Sequence, residues 1–190
     1  MTNIMRVFVI GMCKEGTTTL HYALQSAGFN SCHWQCKDGR YVGEQMCRAK
    51  RENKPLLTYL PEFTAFAQMD VCLPKKQLMV VPNVTDFEKL DRQYPGSLFI
   101  LNVRPEANWL RSVRKWGDLE KRLQMVSRTL DILEWRRQHH EHVRNYFKGR
   151  KDLLILNIES PTAKAELQSF LGRPVRNWSK HNSTVHRKRT

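Results

Sequence analysis

The sequence predicts an α/β protein of three layers, in which a central parallel β-sheet lies between two layers of helices. Three short apolar runs are typical of buried strands: Val7–Ile10, Leu98–Val103 and Asp152–Ile158. Helical patterns separate these runs, and such alternation favours parallel strands joined by helical crossovers. No internal repeat or low-complexity stretch interrupts the alternation.

In the first half of the chain the strand Val7–Ile10 leads through a Gly-bounded turn into a helix with apolar residues at Leu20, Ala23, Leu24 and Ala27, ending at Gly28. A second strand is expected within 29–34. The polar and basic stretch 35–54 predicts a helix over 42–50. The apolar stretch 62–71 fits either a helix or a strand, and a short apolar run follows at 78–81.

In the second half, Thr85 with Glu88 three residues later indicates a capping box and a helix over 86–93. The strand Leu98–Val103 follows, and Pro105 suits the first turn of another helix. A long helix is expected from Asp118 as far as Phe147, and a last helix over Ala163–Leu171. The long helix has an apolar stripe that predicts core packing: Leu119, Leu123, Val126, Leu130 and Leu133.

Length and composition favour a globular protein with one domain over residues 1–190, ending in a mobile basic tail at 183–190. The chain has 190 residues, of which 41% are hydrophobic and 26% charged. No apolar run is long enough to span a membrane, and the N-terminus leads directly into the first strand rather than resembling a signal peptide. A cytoplasmic location is therefore expected.

The net charge of +14 predicts an affinity for anions in general, because a positive field attracts nucleotides, nucleic acid, acidic glycans and membrane surfaces alike. The five cysteines are an odd number and favour buried free thiols over disulfides. Cys32, His33 and Cys36 lack a second Cys/His pair at zinc spacing. The His139, His140 and His142 cluster also lacks a metal-binding spacing and fits a solvated helix face. No metal is therefore expected.

The stretch Val7–Leu20 has the strand–loop–helix order that places backbone N–H groups and the positive end of a helix dipole at one loop. Such a loop binds phosphate or sulfate. Gly11 and Gly16 have the spacing of a nucleoside-triphosphate P-loop, but Thr17 stands where that loop needs a lysine. The lysine lies inside the loop instead, at Lys14.

A second candidate site lies at the end of the strand Leu98–Val103, where Arg104 follows directly and Ser112 comes two helical turns later. Ligands of open parallel sheets collect at the carboxyl ends of the strands, so Arg104 and the first loop should share one edge. The planar guanidinium suits phosphate because it donates two parallel hydrogen bonds. We expect Arg104 and Ser112 to hold the far end of a nucleotide bound by the loop.

Both motifs resemble those of the sulfotransferases that use 3′-phosphoadenosine-5′-phosphosulfate (PAPS). The pattern G-x-x-K-x-G-T-T from Gly11 resembles their P-loop-like 5′-phosphosulfate loop, and LFILNVRPEANWLRS resembles their 3′-phosphate motif. The stretch 94–100 resembles the bacterial and viral-type branch, and Asn182 resembles the family's late asparagine. The resemblance covers most of the chain and is weakest over 35–81, where acceptor specificity normally lies.

The resemblance implies transfer of a sulfuryl group from PAPS to a hydroxyl or amine, with 3′,5′-ADP (PAP) as the product. Lys14 is then the catalytic cation at the oxygen between phosphate and sulfate, and Arg104 and Ser112 bind the 3′-phosphate. The 5′-phosphate cradle comprises Lys14, Glu15 (through its backbone N–H), Gly16, Thr17, Thr18 and Thr19. The acceptor is expected to be a small molecule, or a glycan or lipid hydroxyl.

The reaction also needs a base within reach of the acceptor's proton. His33 ends the second predicted strand, where one branch of the family has a catalytic glutamate, and is the first candidate. Asp70 lies near the place where other members carry an acid or histidine, and Glu62 is a third candidate. Trp109 and Trp116, beside Ser112, are expected to pack in the core, although one of them could stack on adenine.

The sequence leaves two alternative functions open. A P-loop nucleotide kinase or NTPase would need a lysine directly after Gly16, and that lysine is absent. A non-catalytic basic protein that binds nucleotides or nucleic acid would account for the charge. However, the chain lacks a nucleic-acid-binding motif, so no nucleic-acid partner is expected.

Overall fold

A computed structural model describes residues 4–73 and 78–179. The strands are β1 (Val7–Val9), β2 (Ser31–His33), β3 (Ala65–Gln68), β4 (Val71–Leu73), β5 (Leu78–Val80), β6 (Leu98–Val103) and β7 (Leu153–Asn157). The helices are α1 (Thr17–Ser26), α2 (Val42–Arg51), α3 (Pro82–Thr85), α4 (Phe87–Gln93), α5 (Glu106–Arg114), α6 (Leu119–Ser127), α7 (Ile132–Tyr146) and α8 (Ala163–Leu171).

The central sheet has five strands in the order β2-β3-β1-β6-β7, and every neighbouring pair is parallel. The predicted three-layer α/β fold is therefore confirmed. Strand β1 lies at the centre, with Phe8 opposite both Phe66 and Phe99. Strands β4 and β5 form a separate antiparallel pair. The central position of β1 puts the loop that follows it in the middle of the sheet's carboxyl edge.

Alternate side chains of β1 lie on opposite faces of the sheet, as the strand's period of two requires. Phe8 and Ile10 pack with residues of α2, α4 and α7. Val7 and Val9 pack with α1 and α8 on the other face. Because both faces are covered by helices, the strand consists of buried apolar residues throughout.

A third apolar cluster lies beyond the carboxyl end of β1 and joins the loop after β1 to α5, α6 and the start of α7. Its members include Met12, Trp109, Leu123 and Ile132. Trp109 is fully buried, as expected for a core residue. Trp116 is 55% exposed, so its predicted burial is wrong. This cluster positions α5, and with it Ser112, beside the loop.

The single long helix expected from Asp118 is wrong, because the chain forms two helices there, α6 and α7. Arg128 adopts a left-handed backbone conformation at the end of α6, with φ of 57°. Asp131 then caps α7 by accepting hydrogen bonds from the backbone N–H groups of Leu133 and Glu134. Leu130 lies between the helices and is 84% exposed, so its place in the predicted apolar stripe was a coincidence of spacing.

The expected capping box at Thr85 is also wrong, since Thr85 ends α3 and Asp86 precedes α4. The Thr85 hydroxyl donates to the Asp86 carboxylate instead of accepting from a helix N–H. By contrast, the predicted bounds of β6 and α8 agree with the structure, and the ambiguous stretch 62–71 contains the strand β3. The predicted tail at 183–190 and Asn182 lie outside the described residues.

Candidate functional site

One cavity of about 470 Å³ opens at the carboxyl edge of the parallel sheet. Nine of the sequence-predicted site residues line it: Lys14, Gly16, Thr17, Thr18, Thr19, His33, Asp70, Arg104 and Ser112. Its volume lies within the range of small-molecule and cofactor sites. The two motifs and both leading candidate bases therefore meet in one place, although Lys14 and Ser112 are 98 positions apart in the chain.

The loop after β1 has the conformation of an anion-binding turn. Lys14 and Gly16 have positive φ angles of 67° and 80°, and turns with left-handed residues bring successive backbone N–H groups onto one concave side. The positive φ favours glycine at residue 16, and a Cβ atom there would also lie 2.4 Å from Cδ1 of Ile158, whose side chain would have to move. Helix α1 begins directly afterwards at Thr17 and points its N-terminus at the cavity.

Side chains from other elements hold the backbone of this loop at almost every residue. Asn102 of β6 accepts from Gly11 N at 3.0 Å and donates to Glu15 O at 2.8 Å. The same asparagine therefore clamps both ends of the turn. Carbonyl oxygens of the loop accept hydrogen bonds from further side chains: Asn83 donates to Gly11 O, Trp109 to Cys13 O and Arg104 to Lys14 O. His139 donates to the carbonyl oxygen of Ile10, which precedes the loop.

Glu15 does not line the cavity, because its side chain points into the protein and is 0% exposed. Its carboxylate accepts hydrogen bonds from Met12 N at 2.7 Å and from Arg136 Nε at 2.6 Å. Arg136 also donates to the carbonyl oxygen of Arg104 at 2.7 Å. The buried Glu15–Arg136 pair thus connects the loop to the residue that begins the second motif.

A chain of hydrogen bonds connects the two candidate bases through the first residue of α1. The Thr17 hydroxyl donates to Gln68 Oε1 at 2.8 Å, and Gln68 Nε2 donates to Asp70 Oδ2 at 3.2 Å. His33 Nε2 lies 3.1 Å from the Thr17 hydroxyl. Because the Thr17 hydrogen is directed to Gln68, this contact requires a hydrogen on His33 Nε2.

Burial gives the ionisable groups of the cavity unusual pKa values. Desolvation, together with the charge of His21, lowers the pKa of His33 to about 3, so its imidazole is neutral at physiological pH. Desolvation raises the pKa of Asp70 to about 6, against opposing effects that include its bonds from Gln68 and Cys13 and the charge of Lys14. Desolvation likewise lowers the pKa of Lys14.

The third candidate base, Glu62, does not line the cavity and forms an ion pair with Arg40 elsewhere. Of the other two, Asp70 is better suited to accept a proton, since its pKa is close to neutral. The lowered pKa of His33 makes it a weak base.

Arg104 reaches the cavity but is already engaged by other groups. Its Nη1 donates to Lys14 O at 3.0 Å and its Nη2 to Glu159 Oε1 at 2.5 Å. Asn108 donates to the other Glu159 oxygen at 2.7 Å. Asn108, Arg111 and Ser112, all on α5, line the same cavity.

Several residues of the site were missed from the sequence: Gln68, Asn102, Asn108, Arg136, His139, Glu159 and Trp178. One signal was available, since Ile132, Arg136, His139 and Val143 form a single buried stripe on α7. The stripe puts Arg136 and His139 on the buried face, so the prediction that the histidine cluster is a solvated face is wrong for His139. Desolvation lowers the pKa of His139 to about 4, which keeps it neutral against Ile10 O.

A family model described as "Sulfotransferase domain" matches residues 6–135 of the chain. The match includes the loop after β1, β6 and the whole of α5. A search of curated proteins found no match. Within residues 4–73 and 78–179, no group of three or more His, Cys, Asp or Glu side chains is arranged to hold a metal ion. The same residues contain no helix both long and apolar enough to cross a membrane.

The buried ion pair under the loop generates the first prediction. Replacing Arg136 with Met should destabilise the fold by about 3–5 kcal/mol, because the Glu15 carboxylate would stay buried without its partner. Urea unfolding measures the difference. The double variant Glu15→Gln/Arg136→Met should lose less than the sum of the two single variants.

Arg137→Met is the matched control, since Arg137 is the next residue of α7 and its side chain is 53% exposed beside Glu106. Loss of its exposed ion pair should lower the free energy of unfolding by no more than about 1 kcal/mol. If Arg136→Met is no more destabilising than Arg137→Met, the buried pair does not hold the loop in place.

The raised pKa of Asp70 generates the second prediction. The folded state binds the proton of the Asp70 carboxyl more tightly than the unfolded state does. The stability that this proton gives the fold is therefore complete below about pH 4 and is lost as the pH rises through about 6. Asparagine does not ionise, so Asp70→Asn does not lose stability in this pH range. The variant should therefore gain stability relative to the wild type between about pH 4 and pH 7, by about 2–3 kcal/mol.

Denaturant unfolding of both proteins at several pH values measures this difference, and Asp38→Asn is the control because Asp38 is exposed and its pKa is lowered by Arg40. A difference between wild type and Asp70→Asn that does not change with pH would contradict the burial of a titrating carboxyl at residue 70.

Proposed function

The chain belongs to the sulfotransferase family, and on that premise we propose that it transfers a sulfuryl group from PAPS to a hydroxyl group of an acceptor. The observation that carries the proposal is the meeting of Lys14, the N-terminus of α1, and Arg104 with Ser112 in one cavity. Membership of the family makes sulfuryl transfer the general reaction. The donor, the acceptor class and the roles of individual residues are the proposal.

The cavity has the features that PAPS needs at both of its charged ends. Backbone N–H groups and a helix N-terminus favour the 5′-phosphosulfate at the loop. Arg104, Arg111 and Ser112 supply donors at the other side for the 3′-phosphate. Thr17 occupies the position where a P-loop NTPase has its lysine, which disfavours the β- and γ-phosphates of ATP.

Bound PAPS supplies an electrophilic sulfur and a phosphate leaving group. Lys14 stabilises the negative charge that develops on the bridging oxygen as the bond to sulfur breaks. The backbone N–H groups of the loop, including that of Glu15, and the residues Gly16 to Thr19 hold the phosphate itself. Groups fixed in place before reaction contribute most where water is excluded, and the lowered pKa of Lys14 indicates such a desolvated position.

Asp70 is the proposed base that takes the acceptor's proton. Its pKa of about 6 leaves it ionised above that pH and still basic enough to share a proton with a hydroxyl in the transition state. Gln68 holds one oxygen of Asp70, and Thr17 orients Gln68. His33 is then a positioning residue, donating to the Thr17 hydroxyl through Nε2.

Aromatic side chains at the cavity support an acceptor with an apolar body. Trp34 and Trp116 are 37% and 55% exposed and both line the cavity. The Trp116 ring lies 5.2 Å from Lys14 Nζ, beside the position proposed for sulfuryl transfer. Exposed tryptophans offer large apolar faces, so a small hydroxylated compound with a flat or hydrophobic body is the acceptor class that fits best.

The choice of donor gives the third prediction. PAP at about 100 times its dissociation constant should stabilise the protein by about 2.7 kcal/mol, which corresponds to a rise in Tm of roughly 5–10 °C for a chain of this size. ATP with magnesium at the same concentration should give a much smaller shift. A shift with ATP and magnesium equal to or above that with PAP would contradict PAPS as the donor.

The role of Lys14 gives the fourth prediction. Lys14→Ala should slow sulfuryl transfer by about 10²–10³-fold, because a charge-stabilising donor acts mainly in the transition state. PAP binding should weaken much less. The measurement is transfer of radiolabelled sulfur from PAPS to a panel of phenols and alcohols, with PAP binding followed by calorimetry.

Lys148→Ala removes the same charge from an exposed position outside the cavity and should leave both rate and binding unchanged. If Lys14→Ala retains the wild-type rate, or if its rate and its PAP affinity fall by the same factor, Lys14 is not the catalytic cation.

A further inference from the structure

Glu159, two residues beyond the end of β7, places a carboxylate directly on the proposed phosphate-binding arginine. Its Oε1 accepts from Arg104 Nη2 at 2.5 Å, and its Oε2 accepts from Asn108 Nδ2 at 2.7 Å. Both oxygens of the carboxylate are therefore bound by donors that line the cavity. Glu159 lines it as well.

The geometry around Glu159 is that of an oxyanion held by a donor set. A guanidinium and an amide converge on two oxygens of one negatively charged group, as they would on two oxygens of a phosphate. Arg111 donates to the side-chain oxygen of Asn108 at 3.2 Å, which orients the amide toward Glu159. A 3′-phosphate bound by Arg104 and Asn108 would need the place that this carboxylate occupies.

The carboxylate can be displaced from this position. The side chains of Arg104 and Glu159 are 20% and 25% exposed, whereas those of the Arg136–Glu15 pair are 4% and 0% exposed. Partly exposed ion pairs are weaker than their short distances suggest, because water solvates both partners when they separate. Arg104 would stay in place meanwhile, since its Nη1 remains bound to Lys14 O at 3.0 Å.

We infer that Glu159 is an internal competitor for the 3′-phosphate and thereby sets how strongly the site distinguishes nucleotides with that phosphate from those without it. A 3′-phosphate must displace Glu159 from Arg104 and Asn108. A nucleotide with a free 3′-hydroxyl leaves the ion pair intact. After transfer, Glu159 can return to Arg104 and so favours release of PAP. This inference rests on the proposed function.

The experiment compares PAP and 5′-AMP binding to wild type and Glu159→Gln by calorimetry. Glu159→Gln should bind PAP about tenfold more tightly than the wild type and release it more slowly, because the competing charge is gone. Its affinity for 5′-AMP should change by less than about threefold, so the preference for PAP over 5′-AMP should rise. When Arg104→Ala is added to both proteins, the difference in their PAP affinities should become smaller, because only the contact with Asn108 is then left to displace.

Glu120→Gln is the matched control, because it removes the same charge from a carboxylate that pairs with Arg114 at 3.1 Å outside the cavity. Its PAP affinity should equal that of the wild type. Glu159→Asp keeps the charge on a shorter side chain that cannot reach both donors, so it should bind PAP with an affinity between those of wild type and Glu159→Gln. This second variant tests the inference even if Glu159→Gln folds poorly.

Three results would overturn the inference while leaving the proposed donor in place. In the first, the wild type prefers PAP over 5′-AMP but Glu159→Gln binds PAP no more tightly. In the second, Glu159→Gln weakens the binding of both nucleotides, which means that Glu159 holds Arg104 in its binding position. In the third, both nucleotides bind more tightly by the same factor, which means that the charge of Glu159 repels any bound anion rather than competing for the 3′-phosphate site. Failure of all variants to bind PAP would instead reject the proposed function, and the inference with it.

Discussion

The buried carboxylate of Glu15 is the feature on which the geometry of the site depends. Burying a charge is costly, and a buried ion pair seldom adds much net stability compared with apolar packing. Its value here is positional: Arg136 binds Glu15 and the carbonyl oxygen of Arg104, so one guanidinium connects the two motifs. The loop also curls back on Glu15, since the carboxylate accepts from Met12 N.

In this arrangement one residue of the loop, Glu15, fixes the loop's conformation, and its neighbour, Lys14, is left to contact a ligand. The Glu15 side chain is buried, and its carboxylate binds only groups of the protein. The neighbouring Lys14 has a left-handed backbone conformation, and its side chain lines the cavity. Left-handed backbone is unfavourable for a lysine, and the hydrogen bonds to its own and neighbouring carbonyl groups hold it there. Rigid donors at fixed positions are what charge stabilisation in a transition state requires.

Periodicity and composition were enough to predict the parallel sheet and the bounds of β6 and α8. The two motifs, together with the resemblance to the sulfotransferases that suggested His33 and Asp70, predicted nine of the residues that line the cavity. They failed where a local signal had more than one physical meaning. Leu130 continues the spacing of a helical stripe but lies in the link between α6 and α7. Asn102 and Glu159 were missed because their partners lie in other elements, and only the folded chain brings those partners together.

The charge of the site shows why the net charge of the chain could not identify a ligand. A total of +14 suits many anions, but the cavity contains carboxylates at both ends, Asp70 near Lys14 and Glu159 on Arg104. Each cation is therefore partly neutralised before any ligand arrives. A ligand gains only the difference between its own contacts and those it displaces, so discrimination among anions depends on these local pairs rather than on the field of the whole molecule.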